Sequence, residues 1–409
     1  MESPNLERGI QLFENGRYKQ AISYFKTALS ENVDDFTTKF YLASCLFQTD
    51  EINKALNLAL ELRVLEPNEA QVYFLLSQIY LHLENTLEAE RNIDQAIHIQ
   101  PYHDVFFGQK AYILLSKKDF EGALNYANEG LKIDAKSSFC LNARTTALTK
   151  LNRKEEAKSS IDFLLQDDPE DALSHANAGW SYLEHNDTKK ALNHFKEALI
   201  LNPNLEYARS GMSTTIKSKN KIYNLYLRYA FWISKKSEKN QWVFIIGLYI
   251  AYRVAVKILS TTGLTYLAIP LIILYLLFAL GSWIMEPLSN MILLFDKYGR
   301  YLLDKDERLS GQIFFGLLLS SLLMFVISII TNNSYFIILS LTCLAAILPL
   351  TRGVMSNKRN SKIINLVYGS TMLLIAIIGS LIEYPMASIG TTIGFMFIGY
   401  TWLGSFISK

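Results

Sequence analysis

At 409 residues the chain is long enough for two or three domains, and its near-balance of 40 Lys and Arg against 38 Asp and Glu conceals a strong asymmetry. Residues 1–204 hold 21 basic and 30 acidic side chains, net −9, whereas residues 205–409 hold 19 and 8, net +11, which points to a membrane or polyanion near the second half. Cys45, Cys140 and Cys343 are odd in number and far apart, a pattern that suggests neither a disulfide framework nor a metal site.

The first residues, from Met1 to Glu7, hold no basic patch followed by an apolar run, so no secretory signal is expected and the first half should face a reduced compartment. A repeat then sets in. Alanine recurs every 34 residues at Ala21, Ala55, Ala89, Ala123, Ala157 and Ala191. A turn position keeps the same step through Val33, Pro67, Pro101, Ala135, Pro169 and Pro203. A second small-residue ladder runs Gly9, Ala43, Ser77, Ala111, Thr145, Gly179. Three ladders in phase predict stacked helical hairpins, because two helices approach closely only where side chains are small. The Gly9 ladder is expected on the first helix of each hairpin, facing the Ala21 ladder on the second. Proline, which cannot continue a helix, punctuates the links, and large residues such as Tyr18, Phe25, Tyr80 and Phe195 fill the remaining space.

The stretches GRYKQAISYFKTAL from Gly16 and NDTKKALNHFKEALILNP from Asn186 resemble the tetratricopeptide repeat (TPR). The resemblance covers six repeats over residues 3–204. It implies an all-α fold, a right-handed TPR α-solenoid whose first helices line a concave groove for a protein or peptide partner. Val33 and Ala135 depart from the usual proline, and Leu62 and Leu164 from the usual small residue late in the second helix. One groove row implied by the resemblance reads Leu6, Phe40, Phe74, Gly108, Asn142, Ala176, and another Ile10, Ser44, Gln78, Tyr112, Thr146, Trp180. No repeat pairs Lys with Asn on these rows, so a clamp for a C-terminal carboxylate is not expected. Phe40, Phe74, Gln78, Tyr112 and Trp180 are the candidate partner-binding residues, with aromatic anchors at Phe74, Tyr112 and Trp180. Inter-repeat packing is the competing reading for each of the aromatics.

Residues 205–241 read as a capping helix followed by a basic juxtamembrane helix. Leu205, Tyr207, Ala208, Met212 and Ile216 have the helical spacing needed to close an array, and the lysines and arginines of 209–239 suit anionic headgroups better than nucleic acid. Residues 242–409 read as a polytopic transmembrane helix bundle of about six helices, drawn at 242–260, 263–285, 311–331, 334–351, 364–383 and 387–407. Arg253 and Lys257 burden the first stretch; toward its outer end, long side chains can snorkel. YNLYLRYAFW from Tyr223 and MILLFDKYGRYLL from Met291 read as interfacial helices or buried linkers.

Loop charge sets the expected orientation. The segment before the first stretch and the loops 286–310 and 352–363 are basic, while the turns near Thr261, Asn332 and Tyr384 hold no Lys or Arg. By the positive-inside rule the repeats, the basic loops and the C-terminus lie in the cytoplasm. The layout resembles bacterial TPR proteins with a C-terminal multi-span region of unassigned function, and implies a multi-pass protein of the bacterial cytoplasmic membrane.

Chemistry is not legible. No histidine follows His194 to serve as a base within the apolar half, the remaining histidines lack zinc spacing, and phosphate-loop and dinucleotide signatures are missing. No catalytic residue, cofactor or metal is expected. Gly390 and Gly394 form a GxxxG pair suited to packing within the chain, with a membrane-protein partner or in a homo-oligomer. The function expected is a membrane-anchored protein-interaction scaffold. A transporter or channel-like protein with a regulatory TPR arm is the alternative.

Overall fold

The computed structural model describes residues 3–236, 238–279, 281–295, 299–301, 303–356 and 358–407. Every regular element among them is helical. The chain divides into two compact units, 1–212 and 213–409.

The first unit is a solenoid of helical hairpins. The first three are α1 (Pro4–Glu14) with α2 (Tyr18–Glu31), α3 (Phe36–Gln48) with α4 (Ile52–Leu65), and α5 (Ala70–His82) with α6 (Thr86–Ile99). Next come α7 (Asp104–Ser116) with α8 (Phe120–Ile133), α9 (Ser138–Lys150) with α10 (Lys154–Asp167), and α11 (Ala172–Glu184) with α12 (Thr188–Leu201). Every member of the Ala21 ladder is fully buried or within 1% of it, so the identical residue type marks an identical close approach. The Gly9 ladder sits on the first helices, and at both ends of the array the atoms nearest to it belong to a ring. A Cβ on Gly9 would lie 2.4 Å from the Phe25 ring, and one on Gly179 would lie 2.7 Å from the Phe195 ring. Phe25 and Phe195 are themselves fully buried, a gain of about 1.5–3 kcal/mol each. Leu62 and Leu164, the departures late in the second helix, are also buried.

Two kinds of turn join the helices. Between hairpins, Val33, Pro67, Pro101, Ala135, Pro169 and Pro203 each open a two-residue turn, so valine and alanine hold the same geometry as proline. Within hairpins, a ladder emerges that residue type conceals. Gly16, Asp50, Glu84, Lys118, Asn152 and Asn186, again 34 apart, all adopt the left-handed conformation with φ between 59° and 68°. The next N–H in each case donates five residues back, from Arg17 to Leu12 O and onward to Asp187 and Tyr182 O, at 2.8–2.9 Å. This is the Schellman motif, which satisfies carbonyls that the end of a helix leaves open.

The array closes on α13 (Glu206–Lys217), which begins like the first helix of a seventh repeat. Tyr73 Oη donates to Pro67 O at 2.9 Å, and His175 Nε2, 102 residues later, lies 3.1 Å from Pro169 O. Arg209, one further 34-residue step along, donates to Pro203 O at 3.1 Å. The Phe195 ring is held between Gly179 and Gly211, where an added Cβ would approach to 2.2 Å. Cys45 and Cys140 are fully buried, which pushes their thiols up to about 12 and about 11.

The second unit continues with α14 (Lys221–Ser234), α15 (Glu238–Thr261), α16 (Thr265–Ala279) and α17 (Gly281–Phe295). After a 3₁₀ turn at Gly299–Tyr301 come α18 (Lys305–Thr331), α19 (Tyr335–Met355), α20 (Arg359–Leu381) and α21 (Met386–Ile407). Among the described residues four helices are long and apolar enough to cross a membrane: the Val243–Thr261 part of α15, α18, α19 and α20. The stretch 263–285 is carried by two helices, α16 and α17, each 15 residues long and each containing a proline. In α21 the described apolar part runs Met386–Thr401.

Close approach in this unit again depends on glycine. A Cβ on Gly369 would lie 2.6 Å from Leu350, and one on Gly353 would lie 2.9 Å from Leu366, which lets α19 and α20 pack backbone to backbone. Hydrogen bonds add specificity: Ser321 and Ser340 join α18 to α19 at 3.0 Å, and Tyr400 Oη donates to Asn365 at 2.6 Å. Among the described residues, nothing beyond the helix's own backbone lies within 4 Å of a Cβ on Gly390 or Gly394, so the GxxxG pair of α21 takes no part in this packing.

Candidate partner-binding groove

The first helices stack on one another in an unbroken row, α1 on α3, α3 on α5, α5 on α7, α7 on α9 and α9 on α11. One face of the solenoid is therefore built from first helices, and side chains at equivalent positions line up along it. The candidate residues stand on four of these helices: Phe40 on α3, Phe74 and Gln78 on α5, Tyr112 on α7, and Trp180 on α11. All five are partly buried.

Each aromatic leans on a neighbour rather than on another of the five. Phe40 stacks on Phe36, centroids 6.5 Å apart, and meets Tyr41 edge-on at 5.9 Å. Phe74 lies 5.4 Å from the fully buried ring of Phe106 in the next first helix. Tyr112 lies 4.8 Å from Phe139, and burial holds its phenol well above the usual range. Trp180 sits edge-on to Phe195 at 5.6 Å and tilted over Tyr207 at 5.7 Å, with its indole N–H donated to Tyr207 O at 3.3 Å. Its polar handle is thus spent on α13, so Trp180 joins the last repeat to the closing helix.

Phe106, fully buried beneath this row, and Phe139, partly buried within it, were not singled out from sequence. Phe139 roofs the row at Gly108, where a Cβ would lie 2.6 Å from its ring. The signal was there in principle: a glycine in an otherwise bulky row has an aromatic residue 31 positions later to fill it. Toward α11 the row turns polar. Asn142 donates to Ser174 at 3.1 Å and accepts from Asn177 at 2.8 Å, and Thr149 meets Ser181 at 2.7 Å. Buried pairs like these satisfy one another and fix the register of α9 against α11.

A cluster of charge joins α6 to α7. Lys110 is buried on α7 and reaches Glu90 at 2.9 Å and Asp94 at 2.6 Å on α6, while Lys117 reaches Glu90 at 2.5 Å. Lys117 and Lys110 hold the Glu90 carboxyl below its usual range. Farther along, His194 stacks on Tyr182 with centroids 5.2 Å apart and its Nδ1 lies 3.2 Å from that of His175. Burial, then His175 and Lys190, push the His194 pKa down to about 4, against the opposing pull of Asp162 and Glu197. Among the described residues no three His, Cys, Asp or Glu side chains gather to hold a metal.

The tetratricopeptide-repeat family matches the chain at residues 12–79, 70–103 and 172–205. The N-terminal half of the chain is a tetratricopeptide-repeat array. Long apolar helices suited to a transmembrane bundle follow it. No curated protein matches the chain. Among solved structures, a tetratricopeptide repeat protein from Parabacteroides merdae is 17% identical over 52% of this chain and 83% of that one, with a TM-score of 0.47. The APC/C hetero-tetramer Cut9–Hcn1 is 18% identical over 52% of this chain and 42% of that one, at 0.46. YrrB, described as a TPR protein with an unusual peptide-binding site, is 22% identical over 45% of this chain and 95% of that one, at 0.32.

Past the TPR array, the basic stretch 209–239 is only partly available to lipid. Arg209 is engaged with Glu206 at 2.7 Å and with Pro203 O. Lys217 is partly buried, bonded to Asn290 at 3.2 Å with Glu307 at 3.9 Å, and desolvation lowers its pKa. Lys219, Lys221, Arg228 and Lys236 remain exposed, with Lys236 lying over the Trp232 ring at 5.5 Å. Lys239 lies outside the residues whose side chains are described.

Proposed function

We propose that the chain is a membrane-anchored TPR scaffold that recruits a protein or peptide partner to the cytoplasmic face of a bacterial membrane. The observation that carries this reading is the continuous row of first helices with partly buried aromatic side chains along it. A preformed row of this kind binds an extended or helical segment without paying to order itself. Phe40, Phe74, Gln78 and Tyr112 form the contact surface, and Trp180 fixes its C-terminal end by holding α13.

The apolar half is the anchor, crossing the bilayer about six times. Exposed Arg228, Lys221 and Lys236 meet anionic headgroups on the inner leaflet, where each such cation adds about 1 kcal/mol. Basic residues at the start of α18 and at the α19–α20 turn support a cytoplasmic location for those ends and for the TPR arm. Holding the arm at the bilayer raises its effective concentration for partners on the same membrane.

The test is crosslinking of the intact protein in its own membrane, with partners identified by mass spectrometry, beside a Gln78→Lys/Tyr112→Ser variant. A discrete partner should drop at least tenfold in the variant while helicity is retained. An undiminished partner in a folded variant would remove the groove from this proposal.

A further inference from the structure

The cations of α15 are placed where a lone membrane anchor has no use for them. The membrane-length part of this helix runs Val243–Thr261, so Tyr252 is its middle residue and Arg253 stands beside it. At 1.5 Å per residue Lys257 is about 6 Å from Thr261, a distance its side chain covers by snorkelling. Arg253 is about 12 Å from that end and about 15 Å from Val243, farther than a guanidinium reaches. The snorkelling expected of both residues therefore serves Lys257 alone.

Nothing among the described residues answers the charge. Arg253 and Lys257 are both exposed, and among the described residues neither side chain meets a carboxylate, an acceptor or an aromatic face. The helix packs through other residues, with Tyr249 and Tyr252 lying 6.0 and 4.2 Å from Tyr275 of α16. Ile246, Ile250, Arg253 and Lys257 fall on one side of the helix at a spacing of three and four, and the two isoleucines are 52% and 55% exposed. A second copy supplies no counter-charge at this depth either. Helices α16, α19, α20 and α21 contain no Asp or Glu, and those of α18 lie in its first turn. Glu286, the only carboxylate of α17, lies within electrostatic range of Lys217 and Tyr226.

Ionised side chains at mid-bilayer depth face protein and pair with opposite charge. We propose that the Ile246, Ile250, Arg253 and Lys257 face of α15 docks on a transmembrane helix of a different membrane protein, one carrying an Asp or Glu near the middle of its span. The carboxylate pairs with Arg253, and the isoleucines pack against the apolar residues one turn to either side of it. This inference rests on α15 crossing the bilayer as in the scaffold reading, and it is independent of the groove.

The experiment places a photo-crosslinking amino acid at Ile250 of the full-length protein in its own membrane. It is repeated with Arg253→Gln, with Arg253→Lys and with the Gln78→Lys/Tyr112→Ser variant. The expected adduct maps to one transmembrane segment containing Asp or Glu. It falls at least tenfold with Arg253→Gln or when the partner's carboxylate is changed to its amide, and it persists with Arg253→Lys. The groove variant leaves it intact, so a failed groove and a failed α15 contact give different results. An adduct to lipid alone, or a protein adduct undiminished by Arg253→Gln, overturns the proposal. So does labelling of Ser260→Cys by an impermeant reagent from the TPR side only, which would place α15 on the membrane surface.

Discussion

Phe25 and Phe195 fill the room that a glycine leaves on the facing helix, and that pairing has a measurable consequence. Gly179→Ala would push a methyl group into the Phe195 ring from 2.7 Å, with Gly211 blocking retreat on the other side. It should destabilise the TPR array by about 1–3 kcal/mol in chemical denaturation followed by circular dichroism. His194 offers a second test through proton linkage. The fold keeps this ring neutral down to about pH 4, whereas an unfolded chain protonates it near 6.5. Between those values the unfolded state binds more protons, so its contribution is complete above pH 6.5 and is lost as pH falls toward 4. The loss is on the order of 2 kcal/mol once solvent screening of a partly exposed ring is allowed for. His194→Gln should flatten the stability profile in that window relative to the native array.

Among the elements, the hairpin turns show what a sequence displays and what it hides. The alanine ladder was legible because close helix approach demands one residue type, and the fold places every one of its members in the core. The left-handed ladder was not legible, because Gly16, Asp50, Glu84, Lys118, Asn152 and Asn186 share a backbone angle and no side-chain chemistry. Only one of the six is the glycine that the angle favours. Glu84→Gly should therefore stabilise the array by about 0.5–1 kcal/mol, the relief of left-handed strain outweighing the added freedom of the unfolded chain. A rise in the denaturation midpoint at unchanged slope would verify it. The groove was legible only as positions. The resemblance to the repeat family implies Phe40, Phe74, Gln78 and Tyr112 as groove positions, but the roofing of Gly108 by Phe139 and the tie of Trp180 to Tyr207 depend on contacts across repeats that no local pattern announces. The division of 263–285 between α16 and α17 was equally hidden, since hydropathy runs through both.

For the whole molecule, the acidic first half and the basic second half make opposite demands on their surroundings, and topology tests both. Protease added to inverted membrane vesicles should remove the TPR array and cut the basic loops between α17 and α18 and between α19 and α20. The same protease outside intact spheroplasts should spare all three; cleavage there would reverse the orientation proposed from loop charge. The sulfur atoms of the array bear on how such a protein can be studied. With Cys45 and Cys140 sealed in the core and their thiols held far from ionisation, the native array is silent toward maleimides at neutral pH. A pair of cysteines introduced on exposed second-helix positions would then be the reactive thiols of that half. Dyes or spin labels attached there could report the curvature of the superhelix, repeat by repeat, with the native cysteines left in place.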